Sequence, residues 1–144
     1  MQEWTREWSG RASATRIGRV EGLTLFLVEP GVYVQEIAGH LTADAMERSL
    51  REAWSRRDFE RPDGVVHLIA PDVTYDADLR TFPDRPGIEA AVASAVVTES
   101  ALHRMVISAM GIASRIKRGT RVSSHSDVAD ALGAVRRERA AAAR

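Results

Sequence analysis

Three carboxylates crowd into one short stretch of this 144-residue chain: Asp72, Asp76 and Asp78 of Asp72-Val-Thr-Tyr-Asp-Ala-Asp78. Such a cluster invites a hard cation. An EF-hand beginning at Asp72 would need Gly at its sixth place and Glu at its twelfth, and those places hold Ala77 and Pro83. An acidic loop whose side chains cap the following turn accounts for the same residues without an ion. The four histidines, at 40, 67, 103 and 125, include no pair four apart and no HExxH, so no metal site is expected from them. His67 stands inside an apolar run, where a histidine satisfied by core hydrogen bonds is the simpler reading. His103 sits one place off the apolar stripe of its helix, at a border. Ser123-Ser-His-Ser-Asp127 holds the residue types of a hydrolytic triad. Neighbours along a chain do not take triad geometry, however, and helix capping already explains that spacing. No GxxxxGK[ST] or GxGxxG marks a phosphate site; the N–H groups opening the helix at Ser100 could hold an anion, but Glu99 stands beside them. No nucleophile–base pair is legible, and neither an enzyme nor a cofactor is expected.

The bulk properties narrow the classes further. The chain has 20 Lys+Arg against 20 Asp+Glu, so no net field draws in nucleic acid or an anionic membrane. It has no Cys, which excludes thiolate nucleophiles, disulfides and Cys-ligated metals. No apolar run approaches the roughly 18 residues of a membrane span, and the first residues lack a signal-peptide core. A cytoplasmic location is the expectation.

The elements that must position these groups follow from periodicity. Val65, Val66, Leu68 and Ile69 form an apolar run without alternation, which is how a strand covered on both faces reads. Pro71 ends it. Before it, residues 15–20 are a strand candidate, and Leu23, Leu25 and Leu27 alternate with Thr24, Phe26 and Val28. Pro30-Gly31 turns that run into a second strand over 32–38, giving an antiparallel hairpin. Thr42 reads as an N-cap, with Met46, Leu50, Ala53 and Trp54 on one helical face. A short irregular helix after Tyr75, limited by Pro83 and Pro86, should precede a strand near 93–98. Ser100 should cap a long helix with Leu102, Met105, Val106, Ala109, Ile112, Ala113 and Ile116 on its buried face. Residues 121–123 make a short edge strand, and Ser124 reads as the cap of a last helix lined by Val128, Ala131, Leu132 and Val135. Residues 136–144, charged and Ala-rich, should fray. The fold expected is α/β: a mostly parallel central sheet with an N-terminal antiparallel hairpin and helices packed on it.

This order of elements resembles the STAS domain, the fold of anti-sigma-factor antagonists and of the cytoplasmic part of sulfate transporters. The resemblance covers residues 15–138 and is carried by Ile37-Ala-Gly39, the run from Val65 to Asp72, Ala95-Val-Val-Thr98, and Val122-Ser-Ser-His-Ser-Asp-Val-Ala-Asp-Ala-Leu132. It implies a domain of residues 15–138, an N-terminal arm of 1–14 and a C-terminal tail of 139–144. Regulatory STAS members carry a phosphorylatable Ser, in an Asp-Ser-Ser-Gly setting, after the central strand. This chain has Thr74-Tyr-Asp-Ala-Asp78 there, with Thr74 the only nearby aliphatic hydroxyl and Asp76 able to stand in for a fixed negative charge. The chain thus resembles a divergent, STAS-like bacterial protein.

The functional expectation is a non-enzymatic interaction module in bacterial regulation. It would bind a regulatory protein partner through Asp72, Thr74, Tyr75, Asp76, Asp78 and Arg80, with Tyr75 as aromatic anchor and Arg80 as charge partner. The alternative is a small-molecule or lipid-binding domain with a pocket between the sheet and the helix over residues 100–117. Trp4 and Trp8, four apart in the arm, and exposed strand edges leave a homodimer open.

Overall fold

The computed structural model describes residues 7–89, 91–105 and 121–143. Eight strands alternate with three helices: β1 (Thr15–Val20), β2 (Leu23–Glu29), β3 (Val32–Ile37), β4 (His40–Leu41), α1 (Ala43–Trp54), β5 (Gly64–Ile69), β6 (Thr74–Tyr75), β7 (Ala93–Val97), α2 (residues 101–105), β8 (Arg121–His125) and α3 (Val128–Ala142). Two 3-10 helices, Arg11–Ser13 and Ala77–Asp84, complete the described chain.

Six strands form one sheet in the order β1-β2-β3-β5-β7-β8. The first three are antiparallel neighbours, and β3, β5, β7 and β8 run parallel. The turn between β2 and β3 falls where the sequence places it. Gly31, at φ +80°, supplies the left-handed conformation that the Pro30-Gly31 turn needs.

β5 is interior to the sheet, and its apolar run, interrupted by His67, follows from having both faces covered. Val66 and Leu68 point to one face, where Val32 and Val34 of β3 and Ala93, Ala95 and Val97 of β7 pack with Val128, Ala131, Leu132 and Val135 of α3. Val65 and Ile69 point to the other face, which α1 and the 3-10 helix cover through Met46, Ala53, Leu79 and Phe82. Each such fully buried aliphatic side chain contributes about 1.5–3 kcal/mol. Gly64 lets α3 approach closely, since a Cβ there would collide with Val135 Cγ1.

Two caps sit where the sequence puts them. The Ala45 N–H donates to Thr42 Oγ1 at 3.1 Å, and the His103 N–H donates to Ser100 Oγ at 3.2 Å. Three expectations need correcting. Residues 121–125 all pair with β7, so Ser124 belongs to a strand, and α3 is capped instead by Asp127, whose carboxylate accepts the Asp130 N–H at 2.8 Å. Far from fraying after Val135, α3 runs on to Ala142. Arg136 pairs with Glu29 at 2.6 Å, and Arg139 Nε donates to the Pro62 carbonyl at 2.7 Å. On α2, Leu102 and Met105 are exposed, at 65% and 68%, while His103 is the buried residue of that turn. The rest of the expected stripe, from Val106 to Ile116, lies outside the described residues.

The N-terminal segment is tied down. Trp8 is buried and meets Phe26 edge-on at 5.7 Å between ring centroids. Its Nε1–H donates to Glu36 Oε2 at 2.8 Å, and Arg11 Nε donates to the same oxygen at 2.8 Å. Glu36 is thereby a sheet carboxylate almost out of water whose charge the preceding segment matches.

Candidate functional site

The exit from β5 is built by a second, two-stranded sheet. Proline at 71 stops β5, the Val73 N–H turns back to the Ala70 carbonyl, and the chain then pairs as β6 with β4. β4 follows β3 through Gly39, so the β4–β6 pair prolongs the parallel β3–β5 pair beyond its break. The ladder is short but regular: the Thr74 N–H donates to the Gly39 carbonyl at 3.0 Å and the Asp76 N–H to the Leu41 carbonyl at 2.9 Å. Strand alternation then sorts the side chains. Val73 and Leu79 are buried and Tyr75 is half-buried, while Asp72, Thr74 and Asp78 are exposed and Asp76 is partly so.

In the β4–β6 register His40 lies opposite Thr74, and its ring spans Thr74 and Asp76. His40 Nδ1 lies 2.7 Å from Thr74 Oγ1, and Nε2 lies 2.8 Å from Asp76 Oδ1. An ionised carboxylate only accepts, so Nε2 carries the proton and donates to Asp76. In the neutral ring Nδ1 is then the acceptor, and the Thr74 hydroxyl donates to it. Hydroxyl, imidazole and carboxylate stand in line, with the side chains of His40 and Asp76 51% and 44% exposed.

Tyr75 points the other way. Its ring packs against the core on the α1 side and meets His103 edge-on at 5.4 Å, with its hydroxyl 2.8 Å from His103 Nδ1. His103 Nε2 lies 2.9 Å from the Pro71 carbonyl, which can only accept. Nε2 therefore carries the proton, and the Tyr75 O–H donates to Nδ1. Burial pushes the Tyr75 phenol up to about 12, so it remains a donor. Instead of standing free as an anchor, Tyr75 is a buttress tying the exit segment to α2. Arg80 lies in the 3-10 helix Ala77–Asp84, and its side chain is outside the described residues. Arg85 closes that helix onto α1, reaching Asp44 at 2.8 Å, Asp78 at 3.5 Å and Glu47 at 3.6 Å.

The other histidines have distinct surroundings. His67 Nδ1 lies 2.8 Å from Gln35 Oε1, an amide oxygen that accepts, and Gln35 Nε2 donates to Ser49 Oγ at 3.4 Å. This chain of bonds joins β5, β3 and α1. Desolvation holds the His67 imidazole down at about 4, so it is neutral near pH 7. His125 Nε2 lies 2.7 Å from Ser123 Oγ, but Asp127 is occupied in capping α3. Among the described residues, the cluster that holds triad residue types in sequence is therefore a hydroxyl–imidazole pair with no carboxylate bonded to the ring. The set with one is assembled from residues 34 and 36 positions apart, His40 with Thr74 and Asp76. Sequence reasoning missed it, since two-residue strands carry no periodic signal. The only hint was alternation around Tyr75, which would turn Thr74 and Asp76 to one side.

Among the described residues, no three His, Asp or Glu side chains converge as a metal site, and no helix is long and apolar enough to cross a membrane. Compared with known proteins, the chain matches no family model, no curated protein and no solved structure.

Proposed function

We propose that this chain is a STAS-like, non-enzymatic interaction module of bacterial regulation, acting in the cytoplasm through the segment that leaves β5. The observation that carries the reading is the sorting of that segment. Thr74 and Asp76 face outward on a backbone held by the β4–β6 ladder, with exposed Asp72 and Asp78 flanking them, while Val73, Tyr75 and Leu79 hold the segment from beneath. A surface already ordered before binding loses little conformational entropy on docking. Its carboxylates suit a regulatory protein with a basic face, and complementary charge speeds encounter. Antiparallel hairpin, helix, central strand, helix and strand in that order support the STAS-like assignment.

The test uses Asp72 and Asp78, which lie outside the His40 cluster. Tagged wild-type protein and the Asp72→Asn/Asp78→Asn double variant are compared for capture from the native lysate by quantitative mass spectrometry. The reading predicts one partner whose enrichment falls about tenfold, equivalent to about 1.4 kcal/mol, with the melting temperature unchanged. Equal enrichment of every captured protein by both forms would refute this docking surface.

A further inference from the structure

We propose that Thr74 is a nucleophile toward activated carboxylic esters, with His40 as its general base and Asp76 positioning His40. This goes beyond the docking reading and does not depend on it. A hydroxyl within hydrogen-bond reach of a base, itself oriented by a third group, is the arrangement that activates an otherwise weak nucleophile. Here the two distances are 2.7 Å and 2.8 Å. The proton order is the productive one, because Asp76 holds the Nε2–H and leaves Nδ1 bare for the Thr74 proton.

Simple pairing of polar neighbours on a wet surface would also bring three such side chains together. Two observations go further. Both of the ring's nitrogens are engaged, each by a different class of partner, which fixes its tautomer as well as its rotamer. The backbone beneath is held as well, by the β4–β6 ladder, buried Leu41 and the Tyr75–His103–Pro71 chain of bonds. Thr74 is exposed and open to an incoming acyl group.

In the first step Thr74 Oγ1 bonds to the ester carbonyl carbon while its proton passes to His40 Nδ1. The bond from that carbon to the aryloxide oxygen then breaks, and the aryloxide leaves with the electron pair. The imidazolium, still donating through Nε2 to Asp76, returns its extra proton to solvent. The acyl group remains on Thr74 Oγ1 as a stoichiometric ester, so the step modifies the chain without turning over substrate. An aryl ester is the appropriate substrate class because its leaving group needs no proton from the protein.

The full chain is incubated with p-nitrophenyl acetate, and acetylation is followed by intact mass and located by peptide mapping. Wild type acquires an acetyl group on Thr74. Thr74→Ser keeps the site reactive, and Thr74→Val, of the same shape, abolishes that adduct. His40→Gln lowers the rate of acetylation at residue 74 by about a hundredfold or more, the usual contribution of a general base. Asp76→Asn lowers it too and alters its pH profile, an effect that loss of structure alone would not produce while the melting curve is unchanged. Acetyl groups found only on other residues, or a His40→Gln rate equal to wild type, would overturn the proposal.

Discussion

His67 shows how one side chain can set the pH range of the fold. Its imidazole is held at about 4 in the folded chain against about 6.5 when unfolded, with desolvation as the cause. A depressed value in the folded state means that the unfolded chain takes up the proton first. The contribution of His67 is fully present above pH 6.5 and is lost as pH falls toward 4. Urea denaturation between pH 7 and 4 should therefore show a falling midpoint, and His67→Asn, which cannot titrate, should flatten that fall. A slope unchanged by the substitution would remove His67 as its source. At this scale the sequence was informative about residue type and silent about partners. His67 in an apolar run already pointed to internal hydrogen bonding, but Gln35 as its acceptor depends on the β3–β5 register. Helical periodicity ranks residues by apolarity and so puts His103 at a border. The Pro71 carbonyl and the Tyr75 hydroxyl draw it inward instead.

Among the elements, those with a repeating pattern were legible, down to the edge strand near residues 121–123 and the buried face of α3, while two-residue strands and the ends of elements were not. β1, β2, β3 and β5 repeat their apolar code often enough to be read, and Thr42 and Ser100 carry side chains that satisfy a helix start. β4 and β6, two residues each, have no code to read; they exist because the β3–β5 pair delivers them side by side. The end of α3 is held by Glu29 and the Pro62 carbonyl, partners 107 and 77 residues distant that no local propensity encodes. The N-terminal strap is a similar long-range case. Trp8 and Arg11 satisfy the Glu36 carboxylate on the sheet face that α3 also covers. Removing both donors in a Trp8→Phe/Arg11→Ala variant strands that carboxylate, at a cost of about 3–5 kcal/mol in urea denaturation. Adding Glu36→Gln should recover part of the loss. A double variant as stable as wild type would show that the strap does not hold Glu36.

Across the described molecule, a six-stranded sheet with helices on both faces leaves a short list of places where polar groups can be held in fixed geometry. The interior is committed to packing: Val66, Leu68, Val34 and Val97 are fully enclosed, and both faces of β5 are covered. Function is thereby pushed to the carboxyl ends of the parallel strands, where open α/β sheets place their sites. This chain prolongs two of those strands into the β4–β6 pair, so that the exit from β5 has an inward, apolar side and an outward, polar one. That the exit is a pinned surface instead of a loose loop is the claim on which both the docking and the acylation readings rest. The direct measurement is the two-bond nitrogen–proton correlation spectrum of the histidine rings in their neutral form. His40 and His103 should each show a single Nε2–H tautomer with a bare Nδ1, and His67 the opposite, Nδ1–H. A His40 ring averaging between tautomers, or protonated at Nδ1 in the neutral form, would contradict the account.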